Sequence, residues 1–208
     1  MIPLDNFLVF AAATAVMNAT PVPDMMYVVS NAIHHGPKGG VASALGINVG
    51  CIVHTLAAVL GVSALLALSS TAFTIVKWLG AAFLVYLGIR MIFFGRDACF
   101  ETSVRQSGSR LFWQGVATNV LNPKVALFFL SFLPQFVEPS AGSVPLQTML
   151  LGGWFIVSGM TITSAAAIIA GHTGNMLKRH PTVLRVQRWF SGSILIALGA
   201  RLAFVEQK

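Results

Sequence analysis

Acidic side chains are nearly missing from this chain, which has six aspartates and glutamates against thirteen lysines and arginines in 208 residues. Charge of either sign makes up only 9% of it, while 56% of residues are hydrophobic and the mean hydropathy is +0.79. A soluble domain needs far more charged and polar surface to cover a core of that size. No Asp, Glu, Lys or Arg lies between Asp5 and Asp24, between Lys38 and Lys77, or between Glu138 and Lys178. No acid pair falls within a span, and no GxSxG, HExxH or phosphate-binding glycine loop occurs, so neither an enzyme nor a cofactor is expected. The two cysteines, Cys51 and Cys99, are expected as free thiols. No second histidine or cysteine stands at ligand spacing from His54, so no metal is expected.

What the chain has is apolar sequence in lengths suited to a bilayer, whose hydrocarbon core takes about 20 residues of helix. The pattern predicts an all-α polytopic membrane protein with six transmembrane helices, at roughly 5–29, 41–68, 72–94, 111–136, 146–170 and 183–205. The intervals from Lys77 to Arg90 and from Arg188 to Arg201 are short for a crossing, but basic residues at helix ends can extend to the interface. Asp5 is the only charge ahead of the first apolar stretch, so that stretch reads as a retained helix and not a cleaved signal peptide.

Residues 77–93 (KWLGAAFLVYLGIRMIF) and 188–204 (RWFSGSILIALGARLAF) read as one segment written twice. Residues 13–18 (ATAVMN) are likewise answered by 117–122 (ATNVLN). The expected organisation is one transmembrane domain over 1–208, with repeat one at about 5–94, a polar basic link at about 95–110 and repeat two at about 111–205. Three spans per repeat would invert the second copy relative to the first, the scaffold on which many secondary transporters place a site near the midplane.

Lys38, the group Arg90, Arg96, Arg105 and Arg110, and the group Lys178, Arg179, Arg185 and Arg188 fall on or beside alternate loops. The positive-inside rule makes those loops cytoplasmic and puts both termini in the periplasm of a bacterial inner membrane. The net charge of +7 then reflects topology and contact with anionic lipid, and nucleic acid is not an expected partner.

Polar residues at membrane depth supply the candidate site. Thr20-Pro21-Val22-Pro23-Asp24 breaks the first span, because each proline removes an N–H donor and clashes with the preceding turn. Carbonyls around 17–19 are thereby freed as acceptors. The fourth span repeats the device with Asn119, Asn122, Pro123 and Lys124. A central lysine costs several kcal/mol if ionised, unless it faces a wet cavity or a partner; held neutral, it would suit a proton-coupled step. Asn18, Pro21, Pro23, Asn119, Asn122, Pro123 and Lys124 are the expected substrate-binding residues. Asp24, Lys124 and His54 are the expected coupling or gating residues, and a direct Asp24–Lys124 pair is left open. His54 reads more readily as a hydrogen-bonded interior residue than as a relay. Gly46 and Gly50, four apart, read as packing positions, with Asn48 as a weaker polar signal.

Four stretches carry a resemblance over nearly the whole chain: TPVPD at 20–24, GPKGGVASALGINVG at 36–50 with His54 following, KWLGAAFLVYLGIR at 77–90, and NVLNPKVALFFLSFLPQFV at 119–137. In this order and spacing the chain resembles the LysE/RhtB family of bacterial amino acid exporters. The resemblance implies efflux of amino acids or related metabolites driven by the proton motive force. It also carries the family's proline motif onto Pro21 and Pro23, and its Asn-Pro-Lys motif onto Asn122, Pro123 and Lys124. That family usually has glycine between the two prolines, where this chain has Val22, which leaves less room for a close-approaching backbone or solute.

The expected partners are a small amino acid, protons and membrane lipid, with a homodimer left open. Since only Asp24 could counter a cationic side chain, a neutral solute such as threonine, homoserine or leucine is favoured. A non-transporting scaffold or regulator on the same fold is the alternative, and a lipid-acting enzyme a third.

Overall fold

The computed structural model describes residues 2–20, 23–68, 70–94, 106–177 and 181–204. Among these every regular element is helical: α1 Leu4–Ala19, α2 Pro23–Leu68, α3 Ser70–Phe94, α4 Gly108–Val120, α5 Pro123–Leu127, α6 Val144–Leu177 and α7 Pro181–Phe204. A π-helical stretch, Phe128–Phe132, and a 3-10 turn, Leu133–Phe136, continue α5, and a second 3-10 turn spans Pro139–Ala141. By length and composition, stretches within Pro23–Val62 and Val144–Thr173 could cross a membrane. The pair Gly108–Val120 and Pro123–Phe136, bent by 47°, makes a third if it is one span. Leu4–Ala19 and Trp78–Arg90 are shorter apolar helices.

α2 is not one straight rod. Asn31 Nδ2 donates to Ser43 Oγ at 2.9 Å, whereas 12 residues of continuous helix would hold them about 18 Å apart. The chain reverses at Gly36, whose φ of 74° lies in the left-handed region. Glycine enters that region without a Cβ penalty, and Pro37 then suits the first turn of the next arm. The loop expected at 30–40 is therefore a single-residue corner between the arms 23–35 and 37–68. Lys38 sits in the first turn of the second arm, not in a loop.

The second arm runs antiparallel to α6. Thr55 lies against Gly152, Asn48 Nδ2 donates to Thr163 Oγ1 at 3.1 Å, and Pro37 lies against Gly171. α4 lies along the same arm, with Gly46 against the Phe112 backbone and Gly50 against Asn119. α1 crosses α6, where Asn18 Nδ2 donates to Ser158 Oγ at 3.1 Å and to the Phe155 carbonyl at 3.3 Å.

The repeated segments face each other as α3 and α7. A Cβ added to Gly88 would stand 2.6 Å from the Gly192 carbonyl oxygen and 3.1 Å from Ile196 N. One added to Gly199 would stand 2.8 Å from the Ala81 carbonyl oxygen and 3.1 Å from Val85 N. Shifting Gly88, Gly192 and Ile196 by the repeat offset gives Gly199, Ala81 and Val85, so one contact is the image of the other.

Bulk at either glycine must push on backbone. Gly88→Leu and Gly199→Leu are each expected to cost about 1–3 kcal/mol. Both should lower the melting temperature of the detergent-solubilised protein by similar amounts. Gly153→Ala, at a position with open space around it, should leave the melting temperature unchanged.

Candidate functional site

Both helix breaks leave carbonyls without intrahelical donors, and inside a bilayer these must be satisfied by protein. At the end of α1 the Thr20 hydroxyl donates to the Val16 carbonyl at 2.6 Å. Proline at 21 has no N–H to offer the carbonyl of Met17. That oxygen instead accepts from Lys124 Nζ at 3.0 Å, across 107 residues of sequence. At the end of α4 the Asn119 carbonyl accepts from Asn122 N at 2.9 Å and from His54 Nε2 at 3.0 Å.

Side chains also serve the amino ends that follow the breaks. Asn122 is the N-cap of α5, its side-chain oxygen accepting from Lys124 N at 3.0 Å, and Pro123 fills the first helical position. Asp24 lies in the first turn of the 23–35 arm, where the helix dipole favours a carboxylate. Its two oxygens are shared out: Oδ1 accepts from Asn122 Nδ2 at 2.8 Å and Oδ2 from Asn119 Nδ2 at 2.9 Å. A carboxylate only 9% exposed depends on such charge-assisted bonds to offset its desolvation.

Asp24 and Lys124, the latter 5% exposed, line one cavity of about 20 Å³ together with Asn18, Asn48, Asn119, Cys51, Phe155 and Thr163. That volume holds a single water. The bond to Met17 uses one of three ammonium donors on Lys124. Asn119, 1% exposed, has its side-chain oxygen turned toward Gly50 with no hydrogen-bond partner.

Of the residues expected from sequence, Asn18, Asp24, Asn119 and Lys124 reach the cavity wall. Asn122 stands just behind as the clasp on Asp24. Pro23 and Pro123 are exposed at the first turns of their helices and shape the breaks from outside. Pro21 lies outside the described residues. His54 is outside the cavity lining, with its ring 6.0 Å from that of Phe129. The carbonyls foreseen at 17–19 include the one that Lys124 takes. Asp24 bonds to two asparagines rather than to Lys124.

Sequence reasoning missed Ser158, Gly159 and Thr163 on α6, which place hydroxyl groups and a close approach beside Asn18 and Asn48. Their only local signal is a glycine and a threonine four apart in a charge-free span. From Phe155, which lines the cavity, the rings of Phe128, Phe132, Phe10 and Phe136 pack in succession, with neighbouring centroids 4.9–6.4 Å apart.

Interrupted helices closing a polar, charge-bearing cavity inside an apolar bundle define a multi-pass membrane translocator. The chain belongs to the LysE family: residues 15–205 match the model described as LysE type translocator, a family of transporters and not of enzymes. It is 29% identical over 195 residues to a homoserine/homoserine lactone efflux protein of Salmonella typhimurium, covering 93% of this chain and 94% of that one. It is 28% identical over 201 residues to an uncharacterized membrane protein of Vibrio cholerae, covering 95% and 96%. It is also 33% identical over 160 residues to the uncharacterized membrane protein YrhP of Bacillus subtilis, covering 71% and 75%. No solved structure matches it.

The clasp can be taken apart by substitution. Asn122→Ala removes both the cap of α5 and a bond to Asp24, and is expected to cost about 2 kcal/mol or more. Asn122→Ser keeps a capping oxygen and should recover about 1 kcal/mol of that. Thermal unfolding in detergent measures both, and equal losses would assign the whole cost to the Asp24 bond.

Proposed function

We propose that this translocator exports a small neutral amino acid, of the threonine, homoserine or leucine type, from the cytoplasm in exchange for protons. On this reading it crosses the bacterial inner membrane six times, as two inverted three-helix repeats with both termini periplasmic. The exchange of contacts between Gly88 and Gly199 supports the repeat. The basic residues on alternate loops support the orientation.

The observation that carries the reading is that Lys124 and Asp24 line the same cavity while both are held by groups a substrate can replace. A zwitterion presents the two charges these side chains complement. Its carboxylate would take Lys124 from the Met17 carbonyl, helped by the amino ends of α5 and the 23–35 arm. Its ammonium would be taken by Asp24 and by the unpartnered Asn119 oxygen. Asn18 and Asn48 add neutral hydrogen bonds around the rest of the solute.

Coupling follows from the same clasp. A proton arriving on Asp24 turns one acceptor oxygen into a donor, which breaks one asparagine bond and loosens the two halves from each other. The relative named as a homoserine/homoserine lactone efflux protein supports a small neutral solute. The scarcity of acid in the cavity wall disfavours a cationic one.

Proteoliposomes loaded with labelled amino acids test the proposal. Wild-type protein is expected to release at least one neutral amino acid faster under an imposed pH gradient. Lys124→Ala should reduce that flux by about a hundredfold or more, as loss of a buried charged contact to substrate typically does. A non-transporting scaffold on this fold would show no flux with any solute, and gradient-independent flux would remove proton exchange from the mechanism.

A further inference from the structure

His54 is buried one turn beyond the cavity-lining Cys51, with its ring beside Phe129 of the π-helical stretch, and its Nε2 lies 3.0 Å from the carbonyl oxygen of Asn119. A carbonyl can only accept, so Nε2 carries the hydrogen in both the neutral and the charged ring. Protonation can therefore occur only at Nδ1, and it leaves this bond in place. The bond holds the last turn of α4, where the helix stops, and the same residue's side chain clasps Asp24.

We propose that His54 is a positioning residue. It anchors the end of α4 so that Asn119 presents its amide to Asp24, and it takes no part in moving protons. Among the described residues the charged group that faces it from another element is Asp24 of the 23–35 arm, and Cys51 lies one turn before it on its own helix. This duty is mechanical, and it rests on the proposed function only for its transport readout.

Glutamine and asparagine carry the same non-titrating amide at different reach. In His54→Gln the amide nitrogen can occupy the place of Nε2, whereas in His54→Asn it falls short of the Asn119 carbonyl. Both variants, made in a Cys99→Ser background, are reconstituted in liposomes, and the rate at which Cys51 reacts with a maleimide is measured at one pH. Cys51 is buried in the cavity wall, so loosening the end of α4 exposes it. His54→Asn is expected to react at least about threefold faster than the parent, and His54→Gln to match it. Equal rates in all three proteins would overturn the proposal.

The second measurement is the pH profile of flux, which His54→Gln should keep. A flattened profile in that variant would make His54 a proton carrier and overturn the assignment. Labelling does not depend on transport, so a wild-type protein without flux defeats the proposed function while the maleimide rates still decide the role of His54.

Discussion

A helix can be interrupted inside a bilayer only if protein takes over the hydrogen bonds that the interruption removes. Here that constraint falls on carbonyls at the ends of α1 and α4, and side chains take up three of them. The Thr20 hydroxyl takes Val16, Lys124 takes Met17, and His54 takes Asn119. Two of these partners come from distant sequence, and one is the buried lysine itself. The polar cavity is thus assembled from the groups that make the breaks tolerable, which ties the stability of the broken helices to the chemistry between them. A solute that draws Lys124 Nζ away from Met17 withdraws a bond from the end of α1.

The two breaks were legible because proline and asparagine act locally: Pro21 and Pro23 in one span, Asn122 and Pro123 in another, and a lysine where apolar sequence should run on. The freed Met17 carbonyl followed from the same covalent fact. What did not follow was pairing at a distance. The expectation considered Asp24 with Lys124, but the carboxylate is divided between Asn119 and Asn122, an outcome set by how α2 meets α4. Ser158, Gly159 and Thr163 were invisible for the same reason, since their roles exist only against Asn18 and Asn48. The corner at Gly36 looks like a loop in sequence, because a single residue with φ of 74° leaves little trace beyond Gly-Pro. The π-helical stretch Phe128–Phe132 carries no composition that marks it, since its extra residue per turn answers to packing.

Around the breaks the molecule differs in how it is closed. From Phe155 in the cavity wall a run of five phenylalanine rings packs outward, some pairs stacked and others tilted or edge-on. Toward the Gly36 corner the covering is made of Val28, Ala32, Ala44 and Ile47, with Tyr27 donating from its hydroxyl to the Leu111 carbonyl at 2.7 Å. Small side chains and single hydrogen bonds separate at lower cost than stacked rings. α3 and α7 pack at backbone distance through Gly88, Gly192 and Gly199.

The volume of the cavity has a bearing on cellular energetics. Space of about 20 Å³ admits one water and no continuous file of them, and without such a file hydronium has no chain of donors and acceptors along which to hop. A cavity of this size gives hydronium no path through itself.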